Sequence, residues 1–142
     1  SVSIFREELL SNNIEVKISC NELARILGWS QDIHAIFTNL IDNSIFWMNE
    51  CNSENREIKI HVESQNENIE YIDFCDTGPG IEPTLITDNV IFEPQFSTKT
   101  GGSGIGLAIA GDAAERNGLI LQALESKKGA YFRLQVKEKN DE

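Results

Sequence analysis

The chain has little cysteine and few basic residues, and each shortage excludes a class of protein. Its 142 residues include three cysteines, an odd number without C-x-x-C spacing, which argues against a disulfide framework and against a zinc site. Twelve lysines and arginines stand against 23 aspartates and glutamates, for a formal charge of −11. Because nucleic-acid binding depends on basic patches, we expect no nucleic-acid partner.

Long apolar runs are also missing. No stretch is long enough to span a bilayer and the N-terminus has no signal-like pattern, so we expect no membrane contact by this domain and a cytoplasmic location. That expectation leaves open a membrane anchor elsewhere in a longer protein. The length predicts a single domain over residues 1–142, with a flexible tail at about 138–142.

Hydrophobic periodicity predicts an α+β fold. A long helix should begin near Ser30, because apolar residues recur at three- and four-residue spacing from Ile33 to Met48, with Ser44 as the only polar member of the series. Short helices are expected at residues 3–11 and 104–117, and strands at 14–18, 58–63, 69–75, 119–125 and 130–137. This order predicts a two-layer sandwich in which helices cover one face of a mixed, mostly antiparallel sheet.

A long segment without periodicity, residues 77–103, contains all three prolines and ends in a run of glycines. Gly101, Gly102, Gly104 and Gly106 lie just before the last helix, where glycine allows close backbone approach and a helix N-terminus offers free N–H donors to a phosphate. The common phosphate motifs do not fit, since Leu107 stands where a dinucleotide fingerprint needs Gly or Ala and where a P-loop needs Lys. A flexible loop before a helix explains this stretch equally well by itself.

Two further groups of residues are candidates for ligand binding. Asn39 and Asn43 lie one turn apart on the long helix, together with Asp42 and Phe46, and amide oxygens are hard ligands that suit Mg²⁺. A solvated polar face is the competing interpretation. Asp76 ends an apolar strand and begins D-T-G-P-G, which fits either an ordinary tight turn or a buried acceptor for an exocyclic amine such as that of adenine.

Four motifs in this order resemble one known superfamily. N-L-I-D-N-S at 39–44, D-T-G-P-G-I at 76–81, F-E-P-Q-F-S-T-K at 92–99 and G-S-G-I-G-L-A-I at 102–109 resemble the GHKL superfamily of gyrase-type topoisomerases, ninety-kilodalton heat-shock chaperones, histidine kinases and mismatch-repair ATPases. They are most similar to the ATP-binding catalytic domain of histidine kinases. The resemblance covers roughly residues 3–138 and implies the Bergerat ATP-binding fold with ATP and Mg²⁺ as ligands.

The resemblance also implies roles for individual residues. Asn43 is expected to ligate Mg²⁺, Asp76 to accept a hydrogen bond from the adenine amine, and Asn39 and Lys99 to be the catalytic residues beside the phosphates. The other implied nucleotide-binding positions are Asp42, Gly78, Gly80, Ile81, Phe92, Gly102, Ser103, Gly104, Ile105, Gly106 and Leu107. Phe92 and Phe96 are expected to anchor a lid. This chain departs from the family at Phe46, where a basic residue is usual, and at Ala130, where Thr is frequent.

The resemblance favours a protein histidine kinase of two-component signal transduction. Its implied partners are a dimerisation domain with the acceptor histidine, in the same full-length polypeptide, and a downstream response regulator. Hydrolysing relatives carry a Glu base where this chain has Asn39, and a carboxamide cannot take a proton from water. Neither His34 nor His61 precedes an acidic residue, so neither is the acceptor. An ATPase module that signals by lid closure and a non-catalytic nucleotide sensor remain alternatives.

Overall fold

The sheet and its helices follow the predicted order along the chain. A computed structural model describes residues 6–19, 31–65, 68–93 and 106–136. The helices in these ranges are α1 (Arg6–Ser11), α2 (Gln31–Glu50), α3 (Pro83–Ile86), a 3₁₀ segment (Thr87–Phe92) and α4 (Gly106–Arg116). The strands are β1 (Glu15–Ser19), β2 (Glu57–Gln65), β3 (Asn68–Asp76), β4 (Leu119–Leu124) and β5 (Tyr131–Val136).

The five strands form one mixed sheet with the order β1-β2-β3-β5-β4. β1 runs parallel to β2, and the connection between them contains α2, whereas the other three pairs are antiparallel. β5 therefore lies between β3 and β4, although it is the last strand in sequence. This order brings the end of β3 beside the start of β5, where Asp76 N–H donates to the Ala130 carbonyl at 3.0 Å.

The apolar stripe of α2 packs on one face of this sheet. All seven apolar residues of the predicted series are buried, and Ile36 and Met48 are completely inaccessible to solvent. They join alternate residues of the strands, such as Ile58, Phe74 and Phe132, in one core. Small alanines of α4 contribute to the same core, which lets α4 lie close to α2. The predicted two-layer sandwich is confirmed.

The opposite face of the sheet is polar and carries ion pairs between neighbouring strands. Arg133 on β5 forms a bidentate pair with Asp73 on β3, with Nε–Oδ1 at 2.8 Å and Nη2–Oδ2 at 3.1 Å. Its guanidinium also lies 4.0 Å from the centre of the Tyr71 ring, a cation–π contact. Among the described residues, no helix combines the length and apolar character needed to cross a membrane.

The expectation of an irregular segment after β3 was wrong for residues 83–92. Pro83 occupies the first turn of α3, where its missing N–H costs nothing, and the 3₁₀ segment follows directly. Asp88 and Asn89 both have left-handed backbone angles, φ 57° and 55°, which kink this segment. Elements of four and six residues are too short to show a hydrophobic period, so the sequence gives no signal for them. The predicted flexible tail at about 138–142 lies outside the described residues.

Candidate functional site

The centre of the candidate site is the carboxylate of Asp76, which is 5 % exposed at the end of β3. Its Oδ1 accepts hydrogen bonds from the backbone N–H groups of Gly78, at 3.0 Å, and Ala130, at 2.9 Å. Its Oδ2 accepts one from the Ser44 hydroxyl of α2 at 2.6 Å. Three separate segments of the chain therefore hold one buried carboxylate.

This arrangement leaves one hydrogen-bond acceptor position of the carboxylate unfilled by the described residues. An ionised carboxylate has about four lone-pair positions, and the described residues fill three of them. Both positions on Oδ1 are taken by backbone donors, so the remaining acceptor position belongs to Oδ2. Asp76 can therefore accept one further hydrogen bond from a ligand that enters the site, and an amine is the matching group.

Two glycine turns pack closely beside this carboxylate. Gly80 has φ +89° and Gly129 has φ +65°, and a Cβ on Gly80 would lie 3.3 Å from the Gly129 carbonyl oxygen. A Cβ on Gly129 would overlap the carbonyl oxygen of Asp76. A Cβ on Gly78 would lie 3.3 Å from Asp76 Oδ1 and 3.6 Å from Cγ of Met48. The absence of side chains on both turns is thus a condition for the close approach of β3 to the loop before β5.

The second part of the site lies on α2. Asn43 is only 6 % exposed, which contradicts the interpretation of a solvated polar face. Its carboxamide makes no hydrogen bond or ion pair within the ranges that the structure describes. A buried polar group without a partner costs about 1–3 kcal/mol, so it calls for an explanation. A ligand that coordinates or hydrogen-bonds this amide provides one.

Asn39 connects this part of the site to the first turn of α4. Its Nδ2 donates to the Ala35 carbonyl at 2.8 Å, which orients the amide, and its Oδ1 lies 3.0 Å from the position that a Cβ on Gly106 would take. The fold therefore brings together the N-L-I-D-N motif and the end of the glycine-rich motif. Asp42, which shares this side of α2, is exposed.

The two asparagines are chemically suited to a hard divalent cation. Mg²⁺ prefers oxygen ligands and takes few of them from the protein, because it keeps water and phosphate oxygens in its shell. The buried amide of Asn43 and the oriented amide of Asn39 fit that requirement. The residues present are therefore compatible with the Mg²⁺ that the sequence resemblance implies.

The apolar candidates lie around the edge of the site. Ile81 and Leu107 are partly buried against the core. The Phe92 ring packs edge-on against Phe132 at 6.1 Å and lies near Gly111 of α4, so it anchors the end of the 3₁₀ segment to the core. The remaining predicted residues lie outside the described residues. They are Phe96, Lys99, Gly102, Ser103, Gly104 and Ile105.

Sequence reasoning missed three participants in the site. Ser44 was noted only as the polar member of an apolar stripe, and that exception was the available signal for it. Gly129 falls between the predicted strands 119–125 and 130–137 and was not singled out, and Ala130 contributes through its backbone N–H, which no side-chain pattern can reveal.

The Cys75 thiol next to the site is not a reactive group. Burial, and then the negative charges of Asp73 and Asp76, raise the pKa of the Cys75 thiol. Cys75 therefore remains protonated at neutral pH, and a protonated thiol is a poor nucleophile. Cys51 and Cys75 are both free thiols.

Comparison with known proteins gives the following relatives. The family described as "Histidine kinase-, DNA gyrase B-, and HSP90-like ATPase" matches residues 29–140. The histidine protein kinase SaeS of Staphylococcus aureus (strain USA300) is 38 % identical over 106 residues, which are 69 % of this chain and 28 % of SaeS. The chain thus spans little more than a quarter of the length of the curated relatives that it matches.

Solved structures are similar over nearly the whole chain. The nucleotide-free catalytic domain of histidine kinase ThkA is 27 % identical, with a TM-score of 0.71 over 95 % of this chain and 86 % of that domain. ThkA in complex with the response regulator TrrA matches at 21 % identity, with a TM-score of 0.68 over 96 % of this chain and 38 % of the ThkA chain. The second match shows the fold alone.

The close approach at Gly129 predicts a large difference between two glycine substitutions. Gly118 also has a left-handed backbone, φ +71°, but nothing lies within 4 Å of the Cβ it lacks. Gly118→Ala should therefore cost about 1 kcal/mol from backbone strain. Gly129→Ala adds an overlap with Asp76 and should cost at least about 1 kcal/mol more. Urea unfolding of both variants measures the difference, and equal losses would contradict the described contact.

Proposed function

The chain belongs to the family of histidine kinase-, DNA gyrase B- and HSP90-like ATPases, and on that basis we propose that it is the catalytic domain of a protein histidine kinase. It binds Mg·ATP and transfers the γ-phosphoryl group to a histidine on a separate dimerisation domain. The observation that carries the proposal is the buried Asp76 carboxylate, whose Oδ2 keeps one acceptor position for a ligand amine. The similarity to SaeS and to the ThkA catalytic domain supports the kinase assignment.

The adenine ring is assigned to the Asp76 end of the site. Its exocyclic amine donates to Asp76 Oδ2, and the turns at Gly78 and Gly80 leave space for the ring. Ile81 and Leu107 supply apolar contacts, since both are partly buried side chains with remaining exposure. Desolvation strengthens the hydrogen bond, because a charge-assisted bond inside a protein does not compete with bulk water.

The phosphates are assigned to the α2 and α4 end. Asn43, Asn39 and the first turn of α4 lie together here, and a helix N-terminus attracts anions through its free N–H groups and its dipole. Lys99 and the glycine-rich residues from Gly102 to Ile105 directly precede α4 in sequence, and their phosphate contacts stay predictions. Mg²⁺, held by Asn43, neutralises charge on the phosphate oxygens when it is bound.

Phosphoryl transfer is favoured over hydrolysis by the chemistry of Asn39. Its Nδ2 is engaged with the Ala35 carbonyl, and an amide is not a base at neutral pH. Nothing at this position can take a proton from water. The nucleophile is therefore the imidazole nitrogen of a partner, which forms the P–N bond while the P–O bond to ADP breaks. The ATPase module and the nucleotide sensor are weaker alternatives that no observation here favours.

The partners proposed for the chain follow from the same chemistry. The acceptor histidine belongs to a dimerisation domain of the same full-length polypeptide, and a response regulator receives the phosphoryl group next. ThkA, whose catalytic domain is 27 % identical to this chain, has been solved in complex with a response regulator, and this supports a partner of that class. The domain is proposed to act in the cytoplasm, where ATP is available, and the predicted lack of nucleic-acid and membrane contacts stays a prediction.

Asp76→Asn is the direct test of adenine binding. The amide oxygen can keep the two backbone hydrogen bonds of Oδ1, so the fold should survive. The amide NH₂ then replaces Oδ2 and presents a donor to the donating amine. Losing a hydrogen bond to a charged group costs about 1.5–3 kcal/mol, so the affinity for ADP should fall roughly tenfold or more. Calorimetry that finds equal ADP affinity in wild type and variant would refute the adenine assignment.

Asn43→Ala tests the metal. Because the amide is buried without a partner in the described structure, its removal should leave the free energy of unfolding unchanged or raise it. The increase in ATP affinity that Mg²⁺ produces should be lost, whereas metal-free ADP should bind as to wild type. Calorimetry with and without Mg²⁺ provides this comparison. A similar loss for both ligands would indicate a disturbed helix instead of a missing metal ligand.

The last test separates a kinase from a hydrolase. The 142-residue chain should bind Mg·ATP, hydrolyse it very slowly and not phosphorylate itself, since no described or predicted group acts as base or acceptor. Radiolabelled ATP is supplied to the chain alone and then together with the histidine-bearing segment of its full-length protein. Acid-labile label on that segment is the expected result. Rapid phosphate release by the isolated chain that disappears in Asn39→Ala would establish an ATPase.

A further inference from the structure

We propose that Ser44 is a positioning residue that makes the site selective for bases with an exocyclic amine, because its hydroxyl fixes the acceptor geometry of Asp76 Oδ2. This inference rests on the proposed function, since it requires the base to lie at Asp76. Ser44 itself does not touch the base in this assignment. It acts through the carboxylate.

The contact between the two residues is short and buried. Ser44 Oγ lies 2.6 Å from Asp76 Oδ2, within the range of charge-assisted O–H···O⁻ bonds, and Ser44 is 0 % exposed. The hydroxyl belongs to α2 and the carboxylate to β3, so the bond crosses from the helix layer to the sheet layer. The hydrogen bond therefore fixes the position of Oδ2 relative to α2, the helix that also carries Asn39 and Asn43.

Ser44 is the only side-chain donor that Asp76 has among the described residues. Gly78 and Ala130 contribute backbone N–H groups, both to Oδ1, and the methyl side chain of Ala130 has no donor to offer. Without the Ser44 hydroxyl, Oδ2 would be a charged, buried oxygen with no protein donor. Such an oxygen takes a water molecule or rotates to find one, and either change moves or occupies the acceptor position.

Selectivity for a base with an exocyclic amine follows from the number of acceptor positions that remain open on Oδ2. With three lone-pair positions filled, Oδ2 presents a single acceptor to the base. A base with an exocyclic amine donates to it, whereas a purine without that amine gains no such bond. If Ser44 is removed, Oδ2 has two open positions and no fixed direction, so the advantage of the amine decreases.

A purely structural role for Ser44 predicts a different result. If the bond only held α2 against the sheet, its loss would lower stability and weaken every nucleotide to the same extent. The ratio of the affinities for two ligands that differ only in the amine distinguishes these roles. ADP and purine riboside 5′-diphosphate form such a pair.

The experiment measures both ligands by calorimetry on the 142-residue chain and three variants. Wild type should prefer ADP. Ser44→Ala should bind ADP roughly threefold to tenfold more weakly, the range for one hydrogen bond, with unchanged affinity for the purine riboside ligand. Ser44→Thr, which keeps the hydroxyl, should restore the preference. Thr38→Ala is the matched control, because it removes a hydroxyl of the same helix whose one partner among the described residues is the His34 carbonyl, at 2.8 Å.

The outcomes separate this inference from the proposed function. If wild type prefers ADP and Ser44→Ala keeps the whole preference, or loses both ligands equally, the role of Ser44 is refuted and the proposed function stands. If wild type binds neither ligand or does not prefer ADP, both are refuted. If Ser44→Ala does not unfold cooperatively, Ser44→Cys, which has a weak donor of similar size, replaces it in the same comparison, with a reduced preference again expected.

Discussion

The architecture of this site depends on one buried charge. A carboxylate removed from water is tolerated only when hydrogen bonds replace its hydration, and Asp76 obtains three of them from α2, from its own loop and from the start of β5. Gly78 is a local donor, but Ser44 and Ala130 lie 32 and 54 residues from Asp76 in sequence, so their hydrogen bonds require the sheet to be formed and α2 to be packed on it. The hydrogen bonds of the Asp76 carboxylate thus link the helix layer to the sheet layer at the site.

Two aspartates of β3 show how the environment separates their roles. Asp73 lies on the outer face, where the bidentate Arg133 and the Tyr131 hydroxyl, at 2.8 Å, use its oxygens. Hydrogen bonding to Asp73 raises the pKa of Arg133 in turn. Asp76, three residues later, is buried, and its donors among the described residues are neutral: the Ser44 hydroxyl and two backbone N–H groups. No described cation neutralises it, so its remaining acceptor position stays available to a ligand.

The two ends of the site differ in how many of their polar groups form hydrogen bonds with the described residues. At Asp76 the described residues supply nearly all the hydrogen bonds, which fixes the geometry before a ligand arrives. At Asn43 the described residues supply none, and a buried amide remains for a ligand to satisfy. A site of this kind gains specificity at the pre-organised end and gains binding energy at the incomplete end. This division agrees with adenine at the first end and with metal and phosphate at the second.

Local sequence determined the α+β class, the buried stripe of α2 and the succession of helices and strands along the chain, because the periods of 3.6 and 2 are set by backbone geometry. The motif order also determined the family. The sequence could not determine that Asn43 is buried, that Ser44 bonds Asp76, or that Gly129 must lack a Cβ. Those facts join positions 32 to 54 residues apart or depend on how closely two segments approach. Only the strand order and the packing of α2 on the sheet decide such distances, because no local period carries information about them.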